Sequence, residues 1–143
     1  MKRIICIVLI ACLVPACSFA IDLKEFNTNA MVFDMEAIDE TTAVVSGRFT
    51  TFSVGDCKFG FEEKENQISR IIVQGKGEPF LAYAMASIMT FDDNSDAFVE
   101  NAGKLLAAFL LVESDDTQYS RISSGQLFLI KKIGDEYYFT IGR

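Results

Sequence analysis

The chain has 143 residues, half of them hydrophobic, with a formal charge of −7 and no histidine. That excludes Ser-His-Asp and Cys-His catalysis, histidine zinc sites and the usual general base near neutral pH. An acidic surface also disfavours phosphate backbones and anionic headgroups, which argues against nucleic-acid and membrane-surface binding.

Lys2 and Arg3 precede the apolar run Ile4 to Val14, Pro15 interrupts it, and Ser18-Phe19-Ala20 places small residues at −3 and −1 of a cut after Ala20. This is the build of a secretory signal, and the run falls short of the roughly 20 residues that span a bilayer. Val14-Pro15-Ala16-Cys17 is a competing lipobox in which Cys17 would carry lipid; Leu9-Ile10-Ala11-Cys12 fits that pattern too but leaves little apolar region. The expectation is a signal peptide over 1–20 and a single domain over 21–143, exported to a bacterial periplasm, with an outer-membrane lipoprotein or an extracellular protein as alternatives. Losing Lys2 and Arg3, with no acid in the leader, takes the charge from −7 to −9. Cys57 is then the one remaining thiol and reads as a buried strand residue.

Residues 21–30 read as a short, loosely attached amphipathic lead-in. Met31 to Ile38 alternates apolar and acidic residues and predicts a half-buried strand. Thr41 to Val54 predicts a longer strand with a bulge or strong bend between Phe49 and Phe52, where the apolar parity changes. Gly55-Asp56 predicts a Gly-first hairpin setting Val54 opposite Cys57, Phe52 opposite Phe59 and Thr50 opposite Phe61. After the polar turn Glu63 to Asn66, Ile68 to Gln74 carries aliphatics on both faces and predicts a central strand.

Gly75-Lys76-Gly77 ends that strand without the spacing of a phosphate loop, and Glu78-Pro79 opens a buried helix to Phe91. A second helix, about 96–113, carries the stripe Phe98, Ala102, Leu105, Leu106, Phe109 and Val112, with Asp93, Asn94 or Ser95 as N-cap. Asp92-x-Asn94-x-Asp96 copies the start of a calcium loop, but Ala97 and Gly103 stand where that loop needs Gly and Glu. Ser123 and Ser124 lack the Ser-x-x-Lys spacing of a nucleophile. A polar loop, Ser114 to Thr117, leads to Gly134-Asp135, which predicts a second hairpin joining Gln126–Ile133 to Glu136–Gly142.

The expected fold is α+β: an antiparallel sheet of about six strands packed against a two-helix hairpin, in the order ββββααββ. Carboxylates (Asp34, Glu36, Asp39, Glu40, Glu62, Glu63) keep a His-free hydrolase in play, but most fall on solvent faces or turns. No cofactor or metal is implied. In the last hairpin Phe128, Ile130, Tyr137, Phe139 and Ile141 share a core face. The opposite face holds Leu127, Leu129, Tyr138 and Thr140, too apolar for simple exposure: it is either covered by the lead-in or a partner surface. The functional expectation is a non-catalytic exported protein that binds a protein partner, cationic on whole-chain charge, such as an inhibitor or immunity protein against a cationic enzyme. The alternative is a carrier holding an apolar small molecule between sheet and helices, suggested by the thirteen Phe and five Met.

Overall fold

The computed structural model describes residues 23–65 and 67–142. The expectations for the signal peptide, Cys12, Cys17 and Asn66 lie outside these residues. The order is helix α1 (23–32), a 3-10 turn (Glu40–Thr42), strands β1 (Val44–Ser46), β2 (Phe49–Val54), β3 (Cys57–Lys64) and β4 (Gln67–Gly75), helix α2 (Gly77–Phe91), a 3-10 turn (Ser95–Ala97), helix α3 (Phe98–Leu111), then β5 (Thr117–Arg121), β6 (Leu127–Ile133) and β7 (Glu136–Gly142). The strands form one seven-stranded antiparallel sheet, β1-β2-β3-β4-β7-β6-β5.

The expected order ββββααββ with two helices and about six strands is therefore corrected to α-β-α-β, with three helices and seven strands among the described residues. Three local causes account for the difference. First, the lead-in and the start of the expected strand over 31–38 are helix α1. Leu23, Phe26 and Ala30 recur at helical spacing and are fully buried. The helix closes when Asp34 takes a left-handed conformation (φ 61°), with Met35 N–H donating to Ala30 O and Asp34 N–H to Met31 O. Beyond it, both side-chain ends of Asn27 bond the backbone of Ile38, at 2.9 and 3.1 Å, so this strip hangs on α1 instead of joining the sheet.

Second, the single strand expected over 41–54 is a hairpin. Gly47-Arg48 turns the chain, and Ser46 pairs with Phe49. No bulge separates Phe49 from Phe52; they face opposite sides of a regular strand, and the register shift lies instead between Glu62 and Glu63 opposite β4. Third, β5 is a mostly polar edge strand beside β6.

The hairpins at Gly55 and Gly134 have the expected register, with positive φ at each glycine. The strand β4 occupies the centre of the sheet. All three helices pack on one side of it. Phe26 of α1 meets Phe59 and Phe61 edge-on, Tyr83 of α2 meets Phe59 at 4.7 Å, and Phe109 of α3 meets Tyr137 at 4.5 Å. Beneath them Ile71, Val73, Phe128, Ile130, Phe139 and Ile141 are fully buried. Six consecutive residues of α2, Tyr83 to Ile88, are buried because the helix is enclosed by the sheet and its helical neighbours. Cys57 is free and buried; its sulfur lies so close to Gly75 that a Cβ there would sit 2.8 Å away.

Candidate functional site

Because consecutive strand residues point to opposite sides, covering one face with helices leaves every second side chain on the other. The ladder aligns these outer residues into rows. The central row crosses all seven strands: Val44, Thr51, Gly60, Ile72, Thr140, Leu129 and Tyr119 are successive cross-strand partners. At about 4.8 Å between strands it is about 29 Å long. Val44 and Tyr119, at its ends, are 62% and 61% exposed, and the residues between are half-buried apart from Gly60.

A polar row flanks it on one side, through Ser53, Lys58, Gln74, Tyr138, Lys131 and Thr117. The other flank runs through Phe49, Glu62, Arg70, Gly142, Leu127 and Arg121. Arg70 faces Glu62 at 3.8 Å, while Gln74 and Tyr138 both donate to Glu136. Lys58, Arg70, Arg121 and Lys131 thus border the apolar row on a chain whose overall charge is −7.

The row is indented at Gly60. Phe49 and Ile72 stand beside the missing side chain, 3.6 and 3.7 Å from where a Cβ would lie. Around it opens a groove of about 420 Å³, walled by Thr51, Phe49, Ile72 and Gln74, with Lys58 at its margin.

Of the residues expected to form a partner surface, Leu129 and Thr140 are direct partners in the central row, and Leu127 lies one row away at 44% exposure. Tyr138 pairs with Lys131 and is diagonal to Leu129, in the other flank. The fold brings all four onto the uncovered face, and the lead-in lies on the far side of the sheet. Sequence reasoning missed the rest of the row. Ile72 read simply as part of a doubly apolar central strand, Tyr119 lay in an unassigned stretch, and Gly60 has no side chain to signal a face.

The carboxylates do not converge. Asp34, Glu36, Asp39 and Glu40 are exposed on the strip after α1, and Glu62 and Glu63 flank the register shift in β3. Among the described residues no group of three or more His, Cys, Asp or Glu is placed to hold a metal.

Asp92 is committed elsewhere. Its carboxylate accepts from Ser123 Oγ, from Asn101 Nδ2 at 2.9 Å, from Ser124 N at 3.2 Å and from Asn94 N at 3.3 Å. The Ser123 hydroxyl, and then the Asn101, Asn94 and Ser124 donors, hold its pKa below the ordinary 3.8 against the cost of burial. Asn101 Oδ1 in turn accepts from Ser123 N at 3.0 Å. The cluster ties the end of α2 and the first turn of α3 to the β5–β6 loop. With its pKa lowered Asp92 is a weak base, which suits a clamp and not activation of Ser123.

A second apolar region lies on the helix layer. Helix α3 buries Asn101, Leu105 and Ala108 but exposes Val99, Leu110 and, from the expected stripe, Leu106. Beside it Phe33, Met35, Leu81, Met85 and Phe98 line a groove of about 350 Å³. Glu78 is the one charged residue among those lining it.

No protein family, curated protein or solved structure matches the chain.

Proposed function

We propose that this is an exported, non-catalytic binding protein that engages a protein partner through the outer face of its sheet. The observation that carries this reading is the row from Val44 to Tyr119, in which Val44, Ile72, Leu129 and Tyr119 are aliphatic or aromatic and Thr51, Gly60 and Thr140 lie between them, bordered by polar and charged side chains and facing away from the helices. Apolar patches rimmed by charge mark association sites. Strand lengths and spacings give the face an area on the order of 700 Å², close to the about 800 Å² per partner of standard interfaces. The absence of histidine and the scatter of carboxylates support a binding role over a hydrolytic one. A ligand carried between sheet and helices competes with Phe26, Phe59, Phe80 and Phe128, which fill that interior.

Leu129→Ser and Tyr138→Ser test the reading. Each leaves the melting temperature within about 3 °C of wild type, as surface changes do. Each abolishes capture of the partner that wild-type protein retains from envelope extract. Melting far below wild type, or capture undiminished in both variants, rules this face out.

A further inference from the structure

Resting on that reading of the outer face, we infer that its partner is an acidic protein surface that places an apolar or aromatic side chain in the Gly60 groove and carboxylates against Lys58 and Lys131. Lys58 borders the groove, and Lys131 lies in the same polar row, opposite Tyr138. Arg70 and Arg121 continue the positive border in the other flank, where Glu62 is drawn to Arg70. The whole-chain charge favours cationic partners at long range, but beyond a Debye length of about 8 Å it is screened, and at contact the local cations decide.

The same charges disfavour two other occupants. A second copy docked face to face would set Lys58, Arg70, Arg121 and Lys131 against themselves, since a two-fold interface repeats one patch on both sides. A broad anionic bilayer would meet the exposed carboxylates at the strand ends, among them Asp56, Glu65, Asp115 and Asp116, together with the cations. A compact protein patch can seat between them.

The test uses purified 15N-labelled protein and three defined probes: a random glutamate–tyrosine copolymer, polyglutamate, and phosphatidylglycerol vesicles. The copolymer is expected to shift the amides of Gly60, Ile72, Leu129 and Thr140, and to bind about ten-fold more tightly than polyglutamate because only it carries an aromatic anchor. The double variant Lys58→Glu/Lys131→Glu, which alters two exposed side chains, is expected to weaken copolymer binding about ten-fold or more with the melting temperature unchanged. Absence of outer-face shifts, shifts confined to the Val99–Leu110 side of α3, or binding indifferent to the charge reversal overturns the inference. Equal shifts with vesicles assign the face to membrane, and concentration-dependent self-association assigns it to a second copy; either result overturns the inference as well. If Leu129→Ser abolishes partner capture while the charge reversal leaves it intact, the acidic partner falls and the binding face stands. If neither variant affects capture, both fall.

Discussion

Gly60 and Ile72 are cross-strand partners at the middle of the sheet, and the Ile72 Cβ lies 3.7 Å from the point a Gly60 Cβ would occupy. That is ordinary van der Waals distance, so the strand has room for a side chain that it does not carry. Glycine inside a strand weakens it by roughly 0.5–1 kcal/mol relative to alanine. Gly60→Ala is accordingly expected to raise stability by about 0.5–1 kcal/mol in urea unfolding. The added methyl also begins to fill the groove between Phe49 and Ile72, so partner affinity falls as stability rises. A variant that is stabilised and binds as well as wild type shows that the groove takes no part in recognition.

The Asp92 clamp predicts an acid limb. A carboxylate whose folded pKa lies below its ordinary value contributes stability that is complete above pH 3.8 and lost as the pH falls through the lowered folded value. Asp92→Ala removes the acceptor of charge-assisted bonds from Asn101, Ser123 and Ser124, at a cost of about 3 kcal/mol near neutral pH. The stability gap between wild type and Asp92→Ala stays constant from pH 7 to 5 and narrows below 3.8. A gap unchanged at pH 2.5 shows that the charge does not hold the loop. The order of the clamp is structural: Ser123 and Ser124 looked like simple loop residues because their acceptor lies more than thirty positions away in the chain.

How far the sequence reaches is set by the range of each interaction. Gly55-Asp56 and Gly134-Asp135 dictate their own hairpins, so the Phe52–Phe59 and Ile130–Phe139 pairings were legible from local turn chemistry. Gly47-Arg48 has the same pattern, yet it sits inside a Thr- and Val-rich run that reads as one strand, and β1 is only three residues long. Helix α1 ends on Asp34 where glycine or asparagine would announce a left-handed cap, and the alternation of Met31, Phe33 and Met35 imitates a strand. Leu127, Leu129, Tyr138 and Thr140 could be placed on one face because a single hairpin carries them all. The rest of the row needed the β4–β7 and β5–β6 pairings, which no local signal announces. The local distribution of charge was hidden for the same reason: a sum over the chain does not show that Lys58, Arg70, Arg121 and Lys131 gather on one surface.

Helix α1 is core, which fixes where the chain can be shortened. Phe26 packs edge-on against Phe59 and Phe61 and stacks on Tyr83. Phe26→Ala is expected to cost about 3–5 kcal/mol, as much as Phe59→Ala or Phe139→Ala. Protein beginning at residue 21, as cleavage after Ala20 would leave it, retains Leu23, Phe26 and Ala30 and should melt as the envelope-purified form does. Protein beginning at Phe33 lacks all three and should show no cooperative transition. Equal melting of the two shortened forms would refute the role assigned to α1.

Tyr83 gives the opposite pH signature to Asp92. Its hydroxyl donates to Glu36 O at 2.7 Å, fixing α2 to the strip that follows α1, and its ring lies 4.7 Å from Phe59. Burial foremost, then the proximity of Cys57 and Glu36, pushes its pKa from 10.0 up to about 12. A group whose folded pKa is raised contributes stability that is present below its unfolded pKa and lost as the pH climbs through the folded one, here between pH 10 and 12. Tyr83→Phe keeps the ring and loses the bond to Glu36, costing about 1 kcal/mol at neutral pH. The variant has no phenol to ionise, so wild type should lose its advantage, and then fall below Tyr83→Phe, as the pH rises across that window. Urea unfolding at pH 7, 10 and 11.5 measures the gap, and parallel curves at all three would mean that the Tyr83 hydroxyl is open to water and contributes only its ring.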